Sequence, residues 1–104
     1  MLFGVTMFPI GDGVSLRRPV AEVIDEIDRA RLPYEVTGVN TVIEGDWETV
    51  LPVIQKAEAR LQREHGRVFM LLTMDDHPGT TNRLRASVAE VERELGRPIP
   101  HPVG

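Results

Sequence analysis

Residues 68–74, Val-Phe-Met-Leu-Leu-Thr-Met, restrict the possible folds more than any other stretch of the chain. Successive side chains of an extended strand point to opposite faces. Val68, Met70, Leu72 and Met74 therefore share one face, and Phe69, Leu71 and Thr73 share the other. Leu2–Phe8 has the same character, with Phe3, Val5 and Met7 opposed by Leu2, Thr6 and Phe8. Strands that are apolar on both sides leave a sizeable patch in water unless both sides are covered. A chain of 104 residues has room for one hydrophobic core, so the cover must come from few elements.

Those elements follow from periodicity and punctuation. Leu2–Phe8 is bounded by Pro9, Gly11 and Gly13 and reads as the first strand. Ser15 offers an N-cap, and Pro19 is tolerable only in the first helical turn. Val20, Val23, Ile24 and Ile27 recur at helical spacing, which puts Glu22, Asp25, Glu26 and Arg29 on the solvated face of a helix ending near Leu32. Tyr34–Asn40 and Thr41–Glu44 form a strand pair turning around Gly38 to Asn40. Asp46 then caps a second helix with the stripe Trp47, Val50, Ile54, Ala57 and Leu61. Pro52 deprives the Glu48 carbonyl of its usual partner and is expected to bend that helix, and Gly66 ends it. Val68–Met74 is the fourth strand. A third helix is predicted from Thr80 or Thr81, with the stripe Leu84, Val88, Val91 and Leu95, closing at Gly96.

The order β-α-β-β-α-β plus a closing helix is the split βαβ, ferredoxin-like α/β (α+β) sandwich: a four-stranded antiparallel sheet with two helices on one face. Residues 1–96 are expected to form a single domain and 97–104 a loosely held, Pro-rich tail. Two helices cover one sheet face only, and the stripe of the third is narrow. A second copy of the chain is the simplest cover for the other face, so a dimer or tetramer is expected. Burying about 400 Å² of apolar surface per chain contributes roughly 10 kcal/mol before association costs.

Composition removes several function classes. There is no cysteine, hence no disulfide, thiolate metal site or cysteine nucleophile. The net charge of -4, with eleven arginines spread among acids, presents no basic face and argues against nucleic acid as a partner. No segment is apolar enough to span a membrane, and the N-terminal residues lack the basic start of a signal peptide, so a cytoplasmic protein is expected.

Four places bear chemistry. The loop Gly11–Ser15, with Arg17 and Arg18 in the turn after it, suits either an anion or a plain strand-to-helix turn, and matches no phosphate-binding fingerprint. Along Thr41–Glu44, Thr41 and Ile43 share a face opposite Val42 and Glu44. A strand carboxylate such as Glu44 either lies at the strand end in water or meets a donor in a pocket. Trp47 serves as core or as a stacking platform. Asp75, Asp76 and His77 suit helix capping better than metal binding, since adjacent ligands in one loop seldom converge. His65 and His101 have no evident partner, and no Ser–His–Asp or paired-carboxylate arrangement is visible.

The run Pro33-Tyr-Glu-Val-Thr-Gly-Val-Asn-Thr-Val-Ile-Glu-Gly-Asp-Trp47 resembles the central signature of the thiamine-binding protein family, a YkoF-like group of small ferredoxin-like proteins. The likeness spans roughly residues 2–96. It also takes in the first strand leading to Pro9-Ile-Gly and Ser15, and the Asp-Asp loop before the closing helix. Pro52 departs from the pattern. The resemblance implies a dimer or tetramer joined through sheet faces, which binds thiamine or its hydroxymethylpyrimidine part without catalysis and without a cofactor. On that basis Glu44 reads the aminopyrimidine, Thr41 and Ser15 support it, and Tyr34 or Trp47 stacks on a ring. An enzyme of the isomerase or monooxygenase type on the same fold, or a regulatory subunit docking through its third helix, remains open beside this.

Overall fold

A central strand, β1 (Leu2–Pro9), alternates strictly between half-buried and buried positions and carries Phe3, Val5, Met7 and Pro9 into the core. The computed structural model describes residues 1–11, 15–79 and 82–99. Around β1 the order is α1 (Arg17–Arg29), β2 (Tyr34–Val36), β3 (Thr41–Glu44), α2 (Trp47–His65), β4 (Val68–Asp75) and α3 (Arg83–Leu95). The strands form one antiparallel sheet ordered β2-β3-β1-β4, the expected ferredoxin-like topology. β1 pairs with β4 along its whole length, from Leu2 opposite Asp75 to Pro9 opposite Val68. On its other side it pairs with β3, from Leu2 opposite Glu44 to Val5 opposite Thr41.

The core lies between the sheet and the pair α1 and α2. Phe3, Val5, Met7 and Ile43 from the sheet meet Val23 and Ile27 of α1 and Val50, Ile54, Ala57 and Leu61 of α2. Asp46 caps α2 as expected: its carboxylate accepts from the Thr49 amide at 2.9 Å, and the Thr49 hydroxyl accepts from the Asp46 amide at 3.2 Å. The same hydroxyl donates to the Asp46 carboxylate and is the main reason that its pKa lies below the ordinary value. α2 runs unbroken through Pro52, which is exposed, so the Glu48 carbonyl lies on the wet side of the helix. Gly66 ends α2 at φ 82°, a conformation that favours glycine.

Several expectations shift. Ser15 is not the N-cap of α1; Leu16 is, and the Ser15 hydroxyl only accepts a long 3.5 Å bond from the Arg17 amide. Pro19 falls in the first turn as required and is fully buried. α1 stops at Arg29 rather than near Leu32, because Arg31 turns into the left-handed region at φ 60°. β2 is short, ending at Val36, and residues 37–40 make the turn. The start of α3 lies at Arg83, while Thr80 and Thr81 are outside the described residues. Of the tail, Ile99 is tied back, its amide donating to Glu92 at 2.7 Å.

The largest correction concerns the acidic side of α1. Glu22 and Glu26 are buried, facing α2 rather than water. Arg60 of α2 makes that possible, reaching Asp25 at 2.9 Å and Glu26 at 3.1 Å, with Lys56 4.0 Å from Glu26. The Arg60 hydrogen bond is the main reason that the Asp25 carboxyl sits below its usual pKa.

The second sheet face is covered only in part. It carries Leu2, Gly4, Thr6 and Phe8 of β1, Phe69, Leu71 and Thr73 of β4, and Val42 and Glu44 of β3. Phe8 and Phe69 lie with ring centroids 5.3 Å apart, and Leu71 is 55% exposed. Gly4 sits at the middle of this face. A methyl group there would come within 2.6 Å of the Thr73 hydroxyl and 2.9 Å of the Asn40 amide nitrogen. Leu72 and Met74 point to the helix side, yet stay partly exposed at the sheet edge.

The Arg60 pairs have a definite pH signature. A carboxyl whose folded pKa is depressed adds stability above its unfolded value, and loses it as pH falls through the folded value. The stability gap between the native chain and Arg60→Gln is therefore expected to be fully open at neutral pH and to close below pH about 4. Urea titrations of both proteins across that range check it.

Candidate functional site

The hairpin between β2 and β3 is organised by one hydroxyl. Thr37 Oγ1 accepts from the amides of Val39 and Asn40, at 3.2 and 3.1 Å, and donates toward the Asn40 carbonyl at 3.0 Å. The backbone closes the turn with a 2.8 Å bond from the Thr37 amide to the Asn40 carbonyl. Thr6 of β1 pins the turn from below, its hydroxyl donating to the Val39 carbonyl at 2.9 Å. This rigid turn leans toward the start of α1, and a cavity of about 240 Å³ lies between them. Val5, Met7, Leu16, Val20, Val23 and Ile24 give it apolar walls, while Thr37, Asn40 and Thr41 put polar groups at the hairpin side. Thr41 is buried, at 7% exposure. A mostly apolar concavity with a few hydroxyl and amide groups is the usual make-up of a small-molecule site.

A wider groove of about 550 Å³ runs between the β2 edge and α3, lined by Pro33, Tyr34, Glu35, Leu84, Val88 and Glu92 among others. It is larger but more polar. One wall is α3, whereas the hairpin cavity is walled by the sheet and α1. Its more apolar lining makes the hairpin cavity the better candidate.

The five residues singled out from sequence do not converge. Thr41 lines the hairpin cavity, and Ser15 adjoins Leu16 at its rim. Glu44 points to the opposite sheet face, as strand alternation requires. Its carboxylate accepts from the amides of Arg83 and Leu84 at 2.6 and 3.1 Å, so it caps α3 from another strand. Asp75 and Asp76 were the expected caps; α3 takes its cap from Glu44 instead, because Asn82 enters the helix at φ 57° with no side-chain bond. Trp47 is 43% exposed and packs edge-on against Phe3, with centroids 5.3 Å apart. Tyr34 donates to Asp28 at 3.0 Å on the helix side, and that bond raises its pKa.

α3 is secured further by Arg83, whose guanidinium forks onto Glu90 at 2.9 and 3.3 Å and holds the Glu90 carboxyl below its ordinary pKa. Sequence reading missed Thr37, whose role depends on the turn geometry. It also missed the surroundings of His65, which ends α2 beside Glu64 and the buried Glu22. Of the Gly11–Ser15 loop, residues 12–14 are outside the described residues, as is His101. No helix among the described residues is long and apolar enough to cross a membrane.

The ferredoxin-like sheet thus carries a half-open, mostly apolar cavity of the make-up usual for small-molecule sites. Residues 3–92 match the family described as thiamine-binding protein, and the chain belongs to that family. A UPF0045 protein of Mycobacterium bovis is 37% identical over 97 residues, covering 92% of this chain and 93% of its own. Among solved structures, a hypothetical protein of Methanocaldococcus jannaschii superposes with a TM-score of 0.75 at 23% identity, covering 91% of this chain and 94% of the other. A Thermotoga maritima protein provisionally assigned to thiamine biosynthesis or salvage gives 0.72 at 22% identity, covering 83% and 94%. At these identities the two structures attest the fold.

The geometry at Glu44 makes a direct prediction. Glu44→Ala removes a charged acceptor from two helix N-terminal amides, which is expected to cost about 1–3 kcal/mol. Amide hydrogen exchange checks it. Residues 83–95 should lose protection strongly, while β1 and β4 keep theirs.

Proposed function

We propose that this chain is a non-catalytic, cytoplasmic binding protein for thiamine or its hydroxymethylpyrimidine part, acting as carrier, buffer or sensor. The pyrimidine ring is assigned to the cavity between α1 and the β2–β3 hairpin. The observation that carries the reading is the mostly apolar cavity of about 240 Å³ with Thr37, Asn40 and the buried residue Thr41 at its hairpin side. That volume suits one heteroaromatic ring better than a whole two-ring ligand. Membership of the family supports the choice of ligand class.

An aminopyrimidine presents an amine donor beside ring-nitrogen acceptors, which match the hydroxyl of Thr41 and the polar groups of the hairpin. Ser15 at the rim is the second polar contact in this reading. Glu44 and Trp47 act in it as supports, one holding α3 and the other packing on Phe3. Tyr34 borders the alternative groove.

The chain is further proposed to self-associate through the second sheet face, as a dimer or tetramer. Phe8, Phe69 and Leu71 form an apolar strip over β1 and β4 that no described helix covers, and such strips on small domains mark contact surfaces.

Calorimetric titration with thiamine and with hydroxymethylpyrimidine tests the ligand. Both are expected to bind with comparable affinity, and Thr41→Val should weaken each about five- to tenfold, the worth of one hydrogen bond. Affinity unchanged in Thr41→Val but lost in Tyr34→Ala would move the site to the groove under α3. For assembly, sedimentation should show an oligomer that Leu71→Glu converts to monomers. A monomeric native chain would refute the interface.

A further inference from the structure

We infer that the chain carries a divalent metal site of zinc type, formed by Glu22 of α1 with Glu64 and His65 at the end of α2. The proposal is independent of the thiamine reading. One ligand atom from each residue lies within 4.8 Å of the other two, and His65 Nε2 stands 3.7 Å from the Glu64 carboxylate.

Glu22 supplies the decisive observation. Its side chain is 9% exposed, and the carboxylate is only half satisfied. One oxygen faces the Arg18 Nε at 3.3 Å, while the other is buried with no hydrogen-bond partner. Burying a carboxylate oxygen without a donor is costly enough that native proteins rarely do it. A cation held with Glu64 and His65 is the missing partner.

The donor set selects the metal. One imidazole nitrogen and two carboxylate oxygens suit zinc and its first-row neighbours, whereas calcium and magnesium favour oxygen alone. Two carboxylates balance the charge of a divalent ion. Zinc ligands at about 2.0–2.2 Å from the ion stand roughly 3.4 Å apart in a tetrahedron. The cluster must therefore tighten by up to about 1.4 Å, which exposed Glu64 and half-buried His65 can do by side-chain rotation. The carbonyl end of α2 adds partial negative charge at the same point.

Two guanidinium groups stand nearby. Arg60 is committed to Asp25 and Glu26, and touches Glu22 only at its main-chain carbonyl, 3.5 Å away. Arg18 is 88% exposed on its side chain and free to swing into water. The rival reading is a cluster that holds no ion.

Zinc chloride titrated calorimetrically into the chelator-stripped full-length protein, in excess magnesium, distinguishes the two. The expected result is one zinc per chain at micromolar affinity or better, with Tm raised by several degrees at saturation. Glu22→Gln and His65→Gln should each weaken binding at least tenfold, and His77→Gln should leave it unchanged. Circular dichroism checks that each variant is folded, and Glu64→Gln, at an exposed position, serves if Glu22→Gln is not. Absence of saturable binding up to millimolar zinc, or binding that survives both Glu22→Gln and His65→Gln, would overturn the site. So would loss of binding in His77→Gln alone.

Discussion

Every strand contact in this protein runs through β1 or one step from it. β1 gives one edge to β4 over its full length and the other to β3, and β2 joins only through β3. Because its side chains alternate, the same eight residues also supply most of the sheet's share of the core on one side and part of the uncovered strip on the other. The helices fit this strand. α1 and α2 bury Val23, Ile27, Val50, Ile54, Ala57 and Leu61 over Phe3, Val5 and Met7, and Trp47 closes the end of that row against Phe3. An antiparallel sheet with two helices on one side always leaves its second face to be dealt with. Here the two halves of that face meet different fates. At β3 the carboxylate of Glu44 draws in the start of α3, and at β4 the apolar strip stays open.

Much of this was legible in the residues. The strands, the N-cap at Asp46, the stop at Gly66 and the opposite orientation of Thr41 and Glu44 all follow from periodicity and punctuation, which are local. What stayed hidden depends on pairs distant in sequence. Glu22, Asp25 and Glu26 read as a wet helix face because Arg60, which lies more than thirty residues on, leaves no trace in their neighbourhood. Likewise, nothing near Asp75 and Asp76 tells that α3 borrows its cap from β3. The early end of α1 reflects an arginine in a left-handed conformation, a choice that propensity argues against.

The candidate site divides along the same line. A family signature in one continuous run, Pro33 to Trp47, invites the idea that its polar residues gather round one ligand. The fold distributes them instead over the hairpin, both sheet faces and a helix start. Thr41 alone among the five lines the hairpin cavity, joined there by Thr37 and Asn40. Signature residues can thus mark a shared architecture, in which some positions shape the walls and others hold the frame that keeps the walls apart.

Gly4 has a consequence of another kind. Side chains from two different strand neighbourhoods, Thr73 of β4 and Asn40 before β3, occupy the space that its own side chain would fill. Two chain segments are thus gauged against one empty position. Sliding β4 by two residues would keep every side chain on its proper face, so polarity alone does not forbid the slip. It would, however, bring Leu71 or Asp75 over the gap made for Thr73. A single missing methyl group can therefore act as the alignment mark of the sheet, choosing among registers that hydrophobic burial by itself scarcely tells apart.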